Sequence, residues 1–313
     1  MTALTTDTLR LGTRRSALAL AQSGLVAQAL RDAGHNVELV ELTTQGDTSQ
    51  GAVADLGTGV FVNELRRALA AGEVDLAVHS LKDLPTAPSS DVVLAAVPRR
   101  ADPRDALVAR DGATLGELPS GARIGTGSPR RAAQLRALGY GLEIVPIRGN
   151  VDTRIGKVTA GELDGVVVAM AGLDRLDRRD AVTEVLDPVQ VLPAPGQGAL
   201  AVECRAAEAD FAAALGAALD DPTSRAAVSA ERALLARLEA GCTAPVGALA
   251  DVAMGDEGEE EIYLRAVVAN IDGARAIRLS ITGGLDDPES VGNRLAASLL
   301  EAGAADLIGE SRT

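Results

Sequence analysis

Aromatic and sulfur-bearing side chains are scarce in this 313-residue chain, which has two Phe, two Tyr, no Trp, three Met and two Cys. Its cores must therefore be aliphatic, and a hydrophobic content of 47% is ample for several of them. Two cysteines exclude a disulfide framework and suit a reducing cytosol. They also make a zinc or redox protein a poor reading, because no C-x-x-C occurs and only two histidines are present. No run approaches the roughly 18 apolar residues needed to span a membrane. Arg14-Arg15 ahead of Ser16-Ala-Leu-Ala-Leu-Ala21 is only faintly like a twin-arginine signal, since Gln22 ends the apolar stretch too soon. The net charge of −14 argues against a nucleic-acid surface. Lysine is nearly absent as well: Lys82 and Lys157 are the only two, and the other basic residues are arginines. No G-x-x-x-x-G-K-[ST] occurs, so no nucleotide P-loop is supported.

The length suggests two or three domains. Strand-like runs at 8–12, 37–43, 74–78 and 92–97 alternate with helical patterns at 16–32, capped by Ser16, and 60–71, stopped by Gly72. The pattern breaks at Pro98-Arg-Arg-Ala-Asp-Pro103 and restarts with strands at 122–126, 143–147 and 166–170 and helices at 128–138 and from Asn150. A second break, Leu192-Pro-Ala-Pro-Gly-Gln-Gly198, precedes a strand at 199–204. Such alternation predicts parallel α/β sheets. Two crossovers flanking one α/β unit predict that the chain leaves the first domain and returns, which makes a hinge with a cleft. A helix from Thr223 to Ala240, three strands at 246–253, 261–269 and 275–282 and a helix near 288–302 predict a small α+β domain. The fold class is thus α/β: two hinged domains of periplasmic-binding-protein type, 1–98 with 199–217 and 104–192, plus a C-terminal α+β domain, 221–313.

Arginine recurs where a helix follows a strand: at Gly12-Thr13-Arg14-Arg15-Ser16, at Thr126-Gly127-Ser128-Pro129-Arg130-Arg131 and at Arg148-Gly149-Asn150-Val151-Asp152-Thr153-Arg154. A helix N-terminus carries free N–H groups and partial positive charge, so a cation there is unfavourable by about 0.3–1 kcal/mol. Arginine at all three places is an electrostatic conflict. Its simplest resolution is an anionic ligand bound by both the N–H groups and the planar guanidinium groups. The carboxyl ends of parallel strands are also where α/β proteins bind ligands. The alternative is that these arginines turn to solvent or pair with acidic neighbours.

Two further residues stand out. Asp83, beside Lys82, falls just past a strand in Val78-His79-Ser80-Leu81-Lys82-Asp83, where a carboxylate could offset positive charge on a reacting ligand. Cys242 lies in the Gly- and Pro-punctuated loop Gly241-Cys242-Thr243-Ala244-Pro245, where a thiol can be a nucleophile or covalent anchor. Its rival role is a small buried hydrophobe. His79 reads as a near-core histidine, and Cys204 as structural on its strand.

Taken in order and spacing, these segments resemble the porphobilinogen deaminase family. The likeness is carried by Leu9-Arg-Leu-Gly-Thr-Arg14-Arg-Ser16, Phe61-Val-Asn-Glu64, Val78-His-Ser-Leu-Lys82-Asp83 and Asp102-Pro-Arg-Asp105. It continues in Gly125-Thr-Gly-Ser-Pro-Arg130-Arg131, Arg148-Gly-Asn-Val-Asp-Thr-Arg154, Ala171-Gly-Leu-Asp-Arg175, Leu192-Pro-Ala-Pro-Gly-Gln-Gly198 and Gly241-Cys242. The resemblance implies a transferase of tetrapyrrole (haem) biosynthesis. Four porphobilinogen molecules are joined head to tail with loss of ammonia, on a covalent dipyrromethane cofactor, and water releases hydroxymethylbilane. It implies that Cys242 anchors the cofactor by a thioether and that Asp83 is the catalytic carboxylate. Lys82, Asp83, Ser128, Arg130, Arg131 and Arg175 match cofactor-binding positions, and Arg14, Ser16, Arg148 and Arg154 the substrate side. Phe61, Thr126 and Gln197 are further candidates, and no metal is implied. Gly57-Thr58-Gly59 departs from the family, which often has a lysine in that loop.

The partners implied are porphobilinogen and the growing linear polypyrrole, with no nucleic acid and no membrane, in a cytoplasmic monomer. Each added ring brings an acetate and a propionate, and one carboxylate–guanidinium contact at 4 Å is worth about 4 kcal/mol before desolvation at an effective dielectric near 20. A growing polyanion thus calls for many arginines, and local cleft charge matters more than net charge. The rival class is a non-catalytic two-domain anion-binding protein of periplasmic-receptor type, which accounts for the arginines but not for Cys242 or Asp83.

Overall fold

The computed structural model describes residues 8–42, 60–240, 244–255 and 258–310. Cys242 and the Gly57-Thr58-Gly59 loop lie outside these residues, as does the side chain of Phe61. The chain divides into two compact units, residues 1–101 with 199–225 and residues 102–198 with 226–313.

The first unit is built on a five-stranded sheet of β1 (Leu9–Arg14), β2 (Val37–Leu42), β3 (Leu76–Ser80), β4 (Val92–Ala96) and β10 (Leu200–Arg205). The strand order is β2-β1-β3-β10-β4. β1 is parallel to β2 and β3, whereas β10 runs antiparallel to both β3 and β4. The sheet is therefore mixed, not wholly parallel, because its returning strand enters from the opposite direction. Period-2 alternation sends neighbouring side chains to opposite faces. Leu76 and Val78 pack with Val26 and Leu30 of helix α1 (Ala17–Asp32), while Ala77 packs with Leu65 and Leu69 of α2 (Val60–Ala70). Ser16 starts α1 by accepting a hydrogen bond from the Ala19 N–H at 3.3 Å, the stabilising N-cap arrangement.

The second unit repeats this topology with β5 (Asp105–Ala109), β6 (Arg123–Thr126), β7 (Glu143–Pro146), β8 (Gly165–Ala169) and β9 (Glu184–Val185), in the order β7-β6-β8-β5-β9. β6 is parallel to β7 and β8, and β5 is antiparallel to β8 and β9. β5 and β10 thus hold equivalent places, each the first strand after a crossover. Helices α3 (Pro129–Ala137), α4 (Val151–Thr159) and α5 (Met170–Arg175) follow the three parallel strands. Helix α6 (Ala209–Leu219) belongs to the first unit.

The second unit also contains an antiparallel meander, β11 (Val246–Met254), β12 (Glu260–Ala269) and β13 (Ala276–Gly284). One face of the meander is covered by α7 (Pro222–Arg237), α8 (Pro288–Glu301) and α9 (Ala304–Glu310) around Leu234, Leu264 and Leu295. Within this unit Leu192 packs on Leu249 and Val267. The buried Glu231 accepts the N–H groups of Gly196 at 2.6 Å and Ala250 at 2.8 Å. The meander is thereby tied to the Pro-rich second crossover.

Candidate active site

Most of the predicted site residues that the structure describes sit where a strand hands over to a helix or turn. In the first unit β3 runs directly into a single 3-10 turn, Leu81–Asp83. Leu81 is fully buried and donates its N–H to Ala199 O at 3.0 Å, and Leu84 N–H closes the turn on Leu81 O at 3.1 Å. Ser80 Oγ accepts from Gln22 Nε2 of α1 at 2.8 Å. These contacts fix the backbone and leave Asp83 exposed, with Lys82 half-buried beside it. Arg14 ends β1, half-buried, one residue before the exposed Arg15 and the capping Ser16.

His79, two residues before the turn-forming Leu81, is buried, with Nε2 3.3 Å from Glu203 Oε2. Burial alone would raise the pKa of Glu203, but His79 and Arg66 outweigh it and bring it down to about 2. Cys204, fully buried on the next position of β10, has its thiol pushed up to about 11 by burial and by Glu208, so it is inert at neutral pH.

In the second unit the junction of β6 and α3 carries four predicted residues: Thr126 at the end of β6, Ser128 in the loop, and Arg130 and Arg131 in the first turn of α3. Ser128 caps α3 by accepting the Arg131 N–H at 3.4 Å, with Pro129 at the first helical position. Thr126 Oγ1 accepts the Ser128 N–H at 3.2 Å. Gly127 lies against the residue that follows β7: a Cβ there would stand 2.7 Å from Ile147 O. Arg130 and Arg131 then turn inward and are only 4% and 5% exposed. Part of the conflict at this helix end is resolved by an internal anion, the fully buried Asp105 at the start of β5. Arg130 Nη1 meets Asp105 Oδ2 at 2.9 Å, and Arg131 meets Asp105 Oδ1 through Nε at 3.0 Å and Nη2 at 2.7 Å. Burial would raise the pKa of Asp105, but the two guanidinium groups hold it well below the usual carboxylate range.

Gln197, fully buried in the second crossover, braces the pair. Its Nε2 donates to Asp105 Oδ1 and to Pro103 O, both at 2.8 Å, and its Oε1 accepts from Arg131 Nη2 at 3.4 Å. Arg175, the last residue of α5, donates Nη2 to Gly198 O at 2.7 Å. Asn150 caps α4 by accepting the Thr153 N–H at 2.8 Å, and Arg154, one turn on, donates Nε to Gly149 O at 2.8 Å. Burial lowers the pKa of Arg175 and of Arg154, and Arg131 lowers Arg154 further. Arg148 is exposed in the β7–α4 connection.

The second unit therefore joins Arg130 and Arg131 on one buried carboxylate, with Arg154 close enough to feel the charge of Arg131 and Arg175 bonded to Gly198 O, next to Gln197. The Nε atoms of Arg130 and Arg175 are buried without a hydrogen-bond partner, a state that costs free energy unless an acceptor is supplied. The cluster is short of anions, and its donors fit a ligand rich in carboxylates. The sequence names Asp105 only as part of the Asp102-Pro-Arg-Asp105 segment, without a role, and does not single out Glu203 or Glu231. Their signal is tertiary, each pairing with groups 25 or more, 124 or more, and 19 or more residues away.

Comparison with known proteins gives one consistent result. Residues 9–213 match the family model "Porphobilinogen deaminase, dipyromethane cofactor binding domain", and residues 226–301 match "Porphobilinogen deaminase, C-terminal domain". The porphobilinogen deaminase of Nocardia farcinica is 58% identical over 98% of this chain and 90% of its own length. That of Mycobacterium tuberculosis H37Rv is 58% identical over 96% and 98%, and porphobilinogen deaminase 1 of Streptomyces avermitilis is 61% identical over 96% and 98%. Among solved structures, an ABC-transporter periplasmic substrate-binding protein from Coxiella burnetii covers 72% of this chain and 96% of its own, at 15% identity and a TM-score of 0.44.

Proposed function

This chain belongs to the porphobilinogen deaminase family, and from that premise we propose how its own residues divide the work. The activity is that of the family: a transferase that joins porphobilinogen head to tail with loss of ammonia and yields hydroxymethylbilane. The cofactor is the family's dipyrromethane, which when bound supplies the primer for chain growth.

The anchor of that primer is Cys242. Its carboxylates are received by Lys82, Ser128, Arg130, Arg131 and Arg175, with Thr126 and Gln197 shaping the loops behind them. Arg14, Ser16, Arg148 and Arg154 receive the acetate and propionate of the incoming substrate. The observation that carries this reading is the anion deficit at the arginines: Arg130 and Arg131 share the one carboxylate of Asp105, Arg154 and Arg175 bond only backbone carbonyls, and the buried Nε atoms of Arg130 and Arg175 have no partner. Planar guanidinium groups suit carboxylates because they bind them bidentately.

Asp83 is the catalytic carboxylate. Its turn is anchored by Leu81 while its side chain stays exposed, so it can meet the departing amine and then offset positive charge at a pyrrole nitrogen. A fixed counter-charge where charge develops stabilises the transition state without reorganisation. On this reading residues 1–98 with 199–217 carry the carboxylate, 104–192 the arginine cradle and 221–313 the anchor. The chain works as a cytoplasmic monomer. Among the described residues no helix is long and apolar enough to cross a membrane.

The test is turnover by the purified chain. Incubation with porphobilinogen releases ammonia and a linear tetrapyrrole that cyclises to a coloured uroporphyrin after oxidation. Binding of porphobilinogen with no ammonia released would return the chain to the non-catalytic anion-binding class.

A further inference from the structure

We propose that Asp105 is a positioning residue that preassembles the arginine cradle, holding Arg130 and Arg131 in place before any cofactor carboxylate arrives and so setting how fast the apo-chain takes up its cofactor. The inference rests on the cofactor reading above and deepens it.

Consecutive residues of a helix point about 100° apart, so Arg130 and Arg131 would ordinarily diverge. Here both reach one carboxylate, Arg130 through Nη1 to Oδ2 and Arg131 through Nε and Nη2 to Oδ1. Both sit at the positive end of α3, where a cation is unfavourable, and burial together with the charge of Arg131 lowers the pKa of Arg130. Without an internal anion, two buried like charges at a helix N-terminus would swing out to water.

Asp105 prevents this but neutralises only one positive charge. Gln197 braces the arrangement without adding a second, since it is a neutral amide bonded to both Asp105 and Arg131. What remains is a fixed surplus of positive charge, with Arg130 Nε lacking a partner and Arg175 held alongside by Gly198, the residue after Gln197. Preorganised donors bind faster and more tightly than donors that must first be gathered. Asp105 is fully buried, so it acts through the arginines and touches no substrate.

The experiment follows cofactor uptake by intact-mass spectrometry and needs no turnover. Apo-chain is made in cells that produce no porphobilinogen, mixed with porphobilinogen, and sampled over time for the mass of two units less their ammonia. Asp105→Asn should remain folded by circular dichroism yet load about tenfold more slowly or worse, as misplaced binding groups do. Asp105→Glu, which keeps the charge, should recover part of the rate. Val291→Ala, a destabilising change in the buried cluster of the C-terminal meander, should load as the wild type does.

Asp105→Asn loading at the wild-type rate, or no more slowly than Val291→Ala, would overturn the inference while leaving the cofactor reading intact. A wild-type apo-chain that itself gains no mass would overturn both. If Asp105→Asn does not fold, Gln197→Met carries the test, because it removes the bracing amide and leaves every charge in place. Slow loading is then expected, and wild-type loading contradicts the inference.

Discussion

Arg66 grips Glu203 through two parallel hydrogen bonds, Nε to Oε2 at 3.0 Å and Nη2 to Oε1 at 2.6 Å. Helix α2 is thereby clamped to β10, and His79 on β3 completes the cluster at 3.3 Å. Glu203 is 3% exposed and its pKa falls from 4.5 to about 2. A carboxylate with a depressed folded pKa stabilises the fold above its unfolded pKa and loses that contribution as pH falls through the folded value. The shift corresponds to about 3 kcal/mol at neutral pH. Denaturant melts of wild type and Glu203→Gln should therefore differ by about that amount at pH 7 and converge between pH 4.5 and about 2. A difference that stayed constant across that window would contradict the assignment.

Asp83→Asn separates chemistry from folding. The side chain is exposed, so the change should alter stability by less than about 0.5 kcal/mol. Turnover should fall by about a hundredfold or more, as when a single preorganised transition-state contact is lost. Steady-state ammonia release and a thermal melt on the same preparation check both halves. Equal losses of stability and activity would make Asp83 a structural residue.

Gly127→Ala tests the closeness of the β6–α3 loop to Ile147, just past β7. The added Cβ would meet the backbone oxygen of Ile147 at 2.7 Å, and backbone cannot yield as a side-chain tip does. A cost of about 1–3 kcal/mol is expected, with a shift of the Ser128 cap and slower cofactor uptake. A variant as stable as wild type would show that the loop has room to move.

Much of this fold is legible in the sequence because caps are local. Ser16, Ser128 with Pro129, and Asn150 mark the starts of α1, α3 and α4, where the structure puts them. The strand expected at Val74–Val78 runs instead from Leu76 to Ser80, since its upper end is set by pairing of His79 and Ser80 with Ala201 and Leu200 of β10. β5 escapes notice because its five buried residues follow directly on the Pro-rich crossover. Met170 is expected to end a strand and instead opens α5, and the alanine-rich α6 has too little polar contrast to announce a face. The antiparallel direction of β5 and β10 is a property of the tertiary path. The arginines at the site are legible as a local conflict with their helix ends, whereas Asp105, which answers part of it, lies 25 residues before Arg130 and becomes their partner only in the folded chain.

The central claim is that this chain carries a dipyrromethane on Cys242, and intact mass of the denatured protein tests it most directly. Wild type exposed to porphobilinogen should exceed its sequence mass by two porphobilinogen units less their ammonia, and Cys242→Ala treated identically should not. Wild type at its bare sequence mass after that exposure, or an equal excess on Cys242→Ala, would contradict the account.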